Sequence, residues 1–233
     1  MGNEIKEIAK KNAAREAVKL IRDGAVIGIG SGSTVEYAVK FLIERVKNED
    51  LEVYAVPSST QAYFLLVGSG IRIVTLDEYP ELDLAIDGAD EISDDLDMIK
   101  GGGAALTREK IVDAAAKKLI IVVDFTKRVK RLGERAPVPV EVLPFACGFV
   151  MKKLTEMGGK AALRLAQRKV GPIITDNGNF IIDVRFGTPI DDPKELETKI
   201  NMIPGVVENG IFTNMADIVY VGYKDHVDIL RKD

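Results

Sequence analysis

The hydrophobic positions of this chain switch repeatedly between two periods. Over residues 4–22, Ala14, Ala17, Val18 and Ile21 recur at the spacing of an amphipathic helix, and Gly24 is placed to end it. The next run, AVIGIG over 25–30, is short and continuously apolar, like a strand covered on both faces. The alternation then repeats: helix 34–46, strand 51–56, helix 58–68, strands 71–76 and 82–87, a polar loop, helix 107–118 and strand 119–124. Buried strands alternating with helices predict an α/β fold, a Rossmann-like, mostly parallel sheet with helices on both faces.

Near Gly133 the pattern changes. Strand 137–143, helix 145–157, strands near 161–166 and 179–185, helix 192–202 and a strand near 206–211 follow. This β-α-β-β-α-β order predicts an inserted α+β ferredoxin-like unit. ADIVYVG (216–222) reads as a strand returning to the first sheet. The expected division is an α/β domain of residues 1–132 and 207–233, expected to carry the chemistry, interrupted by an inserted domain of residues 133–206.

Composition narrows the chemistry. The net charge is −4 over 233 residues, so there is no basic footprint for nucleic acid. No apolar run approaches the roughly 18–20 residues of a membrane span, and the N-terminal stretch is too polar for a secretory signal. His226 and Cys147 are the single histidine and cysteine. One of each excludes a Cys/His zinc site and a disulfide within the chain, and fits a cytoplasmic location. Proton transfer, if the chain performs it, falls to Asp, Glu or Lys. His226 reads as an exposed surface residue and Cys147, in FACGF, as a buried structural thiol.

Three segments could carry that chemistry. GIGSGSTV (28–35) joins a strand to a helix, so its amides converge at a helix N-terminus that favours an anion, with hydroxyls from Ser31, Ser33 and Thr34. Neither G-x-G-x-x-G nor the P-loop motif is present, and a tight turn capped by Ser or Thr accounts for the loop equally well. DGADEISDDLDMIKGGGAALTREK (87–110) places Asp87 and Asp90 at a strand's carboxyl end, where open α/β sheets bind ligands. Lys100 and the unhindered backbone of Gly101, Gly102 and Gly103 follow, with Glu109 in the first turn of the next helix. A solvated acidic loop explains the charges but not Lys100 and the glycines. EF-hand spacing is missing, whereas Mg²⁺ bound with a phosphate ligand stays compatible with the residues. Lys127, in DFTK, also follows a strand; Lys10, beside Lys11 on the first helix, reads by default as a solvated lysine, and DNGN (176–179) as a turn.

GSGST (30–34), DGADEI (87–92), MIKGGGAALTREK (98–110), DFTK (124–127), PVPVEVLP (137–144), TDNGN (175–179) and IPGVVENGIF (203–212) together resemble ribose-5-phosphate isomerase, type A. The resemblance covers nearly the whole chain. It implies interconversion of D-ribose 5-phosphate and D-ribulose 5-phosphate, a step of the non-oxidative pentose phosphate pathway, with no metal or organic cofactor, in a homo-oligomer that is a dimer or tetramer. It also implies that Ser31, Gly32, Ser33 and Thr34 cradle the phosphate, and that Asp87, Gly88, Ala89, Asp90, Lys100, Gly101, Gly102 and Gly103 line the sugar site. Glu109 falls at the proton acceptor, Lys127 at a substrate-binding lysine and Lys10 at a phosphate-side lysine. Relatives often carry Thr where this chain has Ser31, which keeps the hydroxyl.

The residue types suit that reaction. Aldose–ketose isomerisation through an enediolate takes a proton from C2 and returns it at C1, which one carboxylate, Glu109, can do. Lys100 would balance charge developing on the substrate oxygens, and Asp87 and Asp90 would move hydroxyl protons and help open the ring. Two rivals stand beside this. A sugar-phosphate-sensing domain would share the phosphate loop, but no basic helix-turn-helix accompanies it. A CoA transferase-like enzyme would use a glutamate as nucleophile and would lack the 87–110 block.

Overall fold

The computed structural model describes residues 2–187 and 189–232. In chain order its elements are α1 (Gly2–Val18), β1 (Val26–Ile29), α2 (Ser33–Glu49), β2 (Tyr54–Pro57), α3 (Thr60–Leu66), β3 (Arg72–Ile73), β4 (Leu84–Asp87), β5 (Glu91–Ile92), β6 (Met98–Ile99) and α4 (Leu106–Ala115). There follow β7 (Leu119–Asp124), β8 (Val138–Val142), α5 (Cys147–Glu156), β9 (Lys160–Leu163), β10 (Phe180–Arg185), α6 (Pro193–Asn201), β11 (Val206–Asn209), β12 (Ile211–Phe212), β13 (Ile218–Gly222) and β14 (Val227–Arg231). The chain divides into two compact units. The first holds residues up to Ala89, Arg108–Arg128 and those from Met215 onward; the second holds Asp90–Thr107 and Val129–Asn214.

The first unit is built on a seven-stranded sheet in the order β14-β13-β7-β4-β1-β2-β3. Neighbours pair in parallel except β14, which runs antiparallel to β13. β4 and β7 are buried along their full length, which is why they read as unbroken apolar runs rather than alternating ones. Ile27, Ile29, Ile86, Ile120 and Val122 pack with Ala13 and Ala17 of α1 and Val35 and Leu42 of α2. Val56, Val74 and Leu82 pack with Val112 of α4 in a separate cluster. From β1 the chain winds outward to β2 and β3, then returns to place β4 on β1's other side. The switch point therefore lies between β1 and β4.

Local expectations differ in places. The first helix closes at Val18, and the tighter i→i−3 bonds of Lys19, Leu20 and Ile21 carry Ile21 into the core. The 71–76 strand shrinks to Arg72–Ile73 at the sheet edge, where one neighbour sustains it. β14 was not expected, because the short VDILR lacks a continuous apolar run; an edge strand needs none. No helix among the described residues is long and apolar enough to cross a membrane.

The second unit contains a four-stranded antiparallel sheet in the order β11-β8-β10-β9, with the first strand of the βαββαβ series beside the third. Val138, Val140, Val142, Ile182 and Val184 pack with Val150 and Leu154 of α5 and Ile200 of α6. Cys147 adjoins this core but is half-buried rather than buried, and burial still pushes its thiol pKa up. Where the sequence reads a polar loop after Asp87, β5, β6 and β12 form a three-stranded sheet in the order β12-β6-β5. The compact unit thus extends beyond 133–206 to take in Asp90–Thr107 and run to Asn214. Glu91 shows why: its buried carboxylate accepts backbone N–H groups from Gly133, Arg135 and Ala136.

Candidate active site

In the first unit, the loops after β1 and β4 meet at the switch point. Asp87 ends β4 with its side chain buried, and its Oδ1 accepts the N–H of Ser31 at 3.1 Å and of Gly88 at 2.6 Å. Gly30 makes this approach possible, since a Cβ there would stand 1.9 Å from the Asp87 carboxyl carbon. Gly32 caps α2 at φ 100°, leaving Gly32 and Ser33 exposed at the helix N-terminus. Thr34, Gly88 and Ala89 are partly exposed on the same two loops. The hydroxyl of Ser31 donates to Ser59 Oγ at 2.7 Å and lies 3.2 Å from Ser58 Oγ, while Gln61 Oε1 accepts the Gly32 N–H. Sequence reasoning missed Ser58, Ser59 and Gln61. Their signal was the SSTQ segment after β2, the strand next to β1.

The remaining first-unit candidates sit on separate elements. Glu109 is buried in the first turn of α4, whose Val112 is fixed in the apolar cluster. Lys127 lies in a short 3₁₀ turn after β7, started by Asp124, whose Oδ1 accepts from the Thr126 N–H. β7 borders β4, so Asp87, which ends β4, and Lys127, which follows β7, lie at the carboxyl ends of adjacent strands. Lys10 is not a free solvated lysine: its Nζ donates to Glu7 Oε1 at 2.7 Å, and Glu7 Oε2 accepts from Tyr37 of α2. These two donors hold the Glu7 carboxyl below its usual range.

The second unit holds the other candidates. Asp90 Oδ2 accepts the Gly102 N–H at 2.7 Å, which joins the acidic segment to the triple glycine. Lys100 is buried, its Nζ 5.2 Å from the centroid of the Phe212 ring and its backbone N–H bonded to the Gly210 carbonyl. Gly101 is buried, while Gly102 and Gly103 are exposed. Just beyond, the Thr107 hydroxyl donates to Glu141 Oε2 at the start of α4. Glu141 is fully buried, and its Oε1 accepts from Thr175, Asn177 and Asn179. TDNGN is therefore the turn expected, and it also solvates a buried carboxylate. His226 is exposed and stacks on Tyr223. Among the described residues, no group of three or more His, Cys, Asp or Glu is arranged to hold a metal ion.

A mostly parallel α/β sheet with a Gly/Ser loop and an acidic strand end at its switch point defines the Rossmann-like class whose ligand sites lie outside the strands' carboxyl ends. Within that class the comparison is specific. The family model for ribose 5-phosphate isomerase A (phosphoriboisomerase A) matches residues 54–226, and the chain belongs to that family. Ribose-5-phosphate isomerase A of Methanothermobacter thermautotrophicus is 51% identical over 222 residues, covering 95% of this chain and 97% of its own. The solved ribose 5-phosphate isomerase A of Methanocaldococcus jannaschii superposes with a TM-score of 0.92 at 52% identity, over 96% of this chain and 98% of its own. A D-ribose-5-phosphate isomerase in complex with phospho-erythronic acid gives a TM-score of 0.95 at 47% identity, over 97% and 99% of the two chains.

Proposed function

We infer that the chain interconverts D-ribose 5-phosphate and D-ribulose 5-phosphate through an enediolate. The observation that carries this is the near-complete match to the isomerase A family, including a relative solved with phospho-erythronic acid. That compound joins a phosphate to a planar carboxylate, which mimics the enediolate's two oxygens.

In this reading the Ser31–Thr34 loop holds the phosphate at the N-terminus of α2, and Lys10 and Lys127 supply positive charge. Glu109 carries the proton between C2 and C1. Asp87 and Asp90 handle hydroxyl protons, Gly88 and Ala89 line the sugar between them, and Lys100 with the Gly101–Gly103 amides balances the developing charge. The burial of Glu109 and of Lys100 supports these roles, because a buried charged group far from any task is rarely retained. Binding energy at the phosphate positions the open chain for the transfer. The test is ketose formation from ribose 5-phosphate by wild type and Glu109→Gln. We expect the variant to keep its KM while kcat falls by about 10²–10⁴. Near-normal turnover in the variant would remove Glu109 from this role, and an inactive wild type would remove the reaction.

We further propose a cytoplasmic homo-oligomer, dimer or tetramer. Leu143, Phe145, Phe149 and Met202 remain exposed in the second unit, and large apolar side chains of this kind suit a contact between copies. Sedimentation equilibrium showing a monomer would overturn it.

A further inference from the structure

One face of the four-stranded sheet carries no helix core, yet it is not a solvated face. Val138, Val140, Val142, Ile182 and Val184 take the helix side. The register pairs Glu141 with Ile181 and Asp183 with both Pro139 and Ala162, so Glu141 and Asp183 lie on the opposite side. Arg164 follows β9 directly, and its N–H bonds to the Ile181 carbonyl, which sets it on that same side, diagonal to Asp183. Arg164 Nε and Nη2 grip the two Asp183 oxygens at 2.8 and 2.5 Å. Nη1 then donates to the carbonyls of Gly101, at 2.9 Å, and Gly102, at 3.1 Å.

We propose that Arg164, oriented by Asp183, is a positioning residue that fixes which way the triple-glycine amides face and so presents the Gly103 N–H to the substrate oxygen where charge develops. The proposal rests on the isomerase reading. In a trans peptide the carbonyl and the following N–H point in opposite directions. The first peptide of the loop shows the effect: with the Gly101 carbonyl on Arg164, the Gly102 N–H faces away and reaches Asp90 Oδ2. With the Gly102 carbonyl on the same guanidinium, the Gly103 N–H is turned to Asp90's side of the loop. Gly103 is exposed there, and a Cβ on it would meet nothing within 4 Å.

Three successive glycines would not hold this orientation unaided, since each visits both signs of φ freely. The turn that follows is strained as well. Ala104 sits at φ 62°, a left-handed conformation rare for a residue with a Cβ, and its N–H shares the Gly101 carbonyl with Arg164. A guanidinium suits the task because its planar fork engages a carboxylate bidentately and still has a donor edge to spare. Donors fixed before the reaction stabilise developing charge more than donors that must be gathered during it.

The experiment compares wild type with Arg164→Met, Arg164→Lys and Asp183→Asn, each first checked for native circular dichroism. In the isomerase assay, kcat of Arg164→Met should fall by about 30-fold or more while KM moves by less than about 3-fold. Arg164→Lys should recover only part of that loss, and Asp183→Asn should fall between. In calorimetric titration, Arg164→Met should lose affinity for phospho-erythronic acid, whose carboxylate probes the loop, and keep its affinity for inorganic phosphate. If both affinities drop together, the side chain is merely structural; if kcat of every variant stays at the wild-type value, the clamp is wrong. Should Arg164→Met fail to fold, Arg164→Lys and Asp183→Asn decide by the same split between kcat and KM. A wild type that does not isomerise ribose 5-phosphate defeats the functional reading itself, an outcome distinct from a normal wild type beside unaffected variants.

Discussion

At the scale of residues, Glu141 shows how a side chain's task depends on what covers it. Its carboxylate takes bonds from Thr107, Thr175, Asn177 and Asn179 without contact with solvent. Removing it strands the buried donors of Thr175 and Asn179, each costing about 1–3 kcal/mol when left unmet. Glu141→Ala should therefore destabilise by several kcal/mol, and Glu141→Gln by about 1–2 kcal/mol, because the amide keeps most partners but loses the charge. Urea midpoints check this; equal midpoints for the two variants would contradict it. In the sequence, PVPVEVL reads as a strand, 137–143, and gives no sign of a buried task for Glu141. Nothing local announces that Thr107, Thr175 and two asparagines close over it. Asp87, Lys100 and Glu109 stand out as candidates for the opposite reason: their neighbours in sequence, glycines and strand ends, are themselves the signal. Ser59 and Gln61 lay outside that block and went unseen.

At the scale of elements, strongly periodic segments were legible and short or edge ones were not. α2, β1, β4 and β7 bury enough apolar surface to mark themselves. β5, β6 and β12 are two residues each, and their pairing depends on partners far along the chain, as with Ile99 and Ile211. β14 is half-exposed and pairs residue for residue with β13 from Gly222–Val227 to Ile218–Arg231. It shields the outer edge of β13, whose run Val219–Val221 is buried. Deleting residues from Tyr223 onward should thus lower the melting temperature and promote aggregation. Light scattering during a thermal ramp measures both, and a truncated chain that melts reversibly at the wild-type temperature would refute the shielding role.

At the scale of the whole molecule, fold class was legible and the partition of the chain was not. The alternation of helices with buried strands carries the α/β class, because it is repeated many times over. The partition turns on side chains such as Glu91 that reach backbone groups more than forty residues away, which leave no periodic trace. This has a measurable outcome. A fragment of residues 133–206 lacks Thr107 and Gly101–Gly102, leaving unmade the Thr107 bond to Glu141 and the Arg164 bonds to the two glycine carbonyls. The fragment should be largely unfolded, with collapsed amide dispersion in a proton–nitrogen NMR spectrum. Well-dispersed signals would show that the βαββαβ core stands without the 90–107 segment.

The order of strands in the seven-stranded sheet also sets a timetable for synthesis. β7 pairs on one side with β4, made earlier, and on the other with β13, which comes about 90 residues later. At roughly 5–20 residues per second, a ribosome leaves that second edge open for about 5–20 s. During that interval a buried strand, LIIVVD, is exposed on a nascent chain, so the moment of greatest danger to this protein falls before its last strands have been translated.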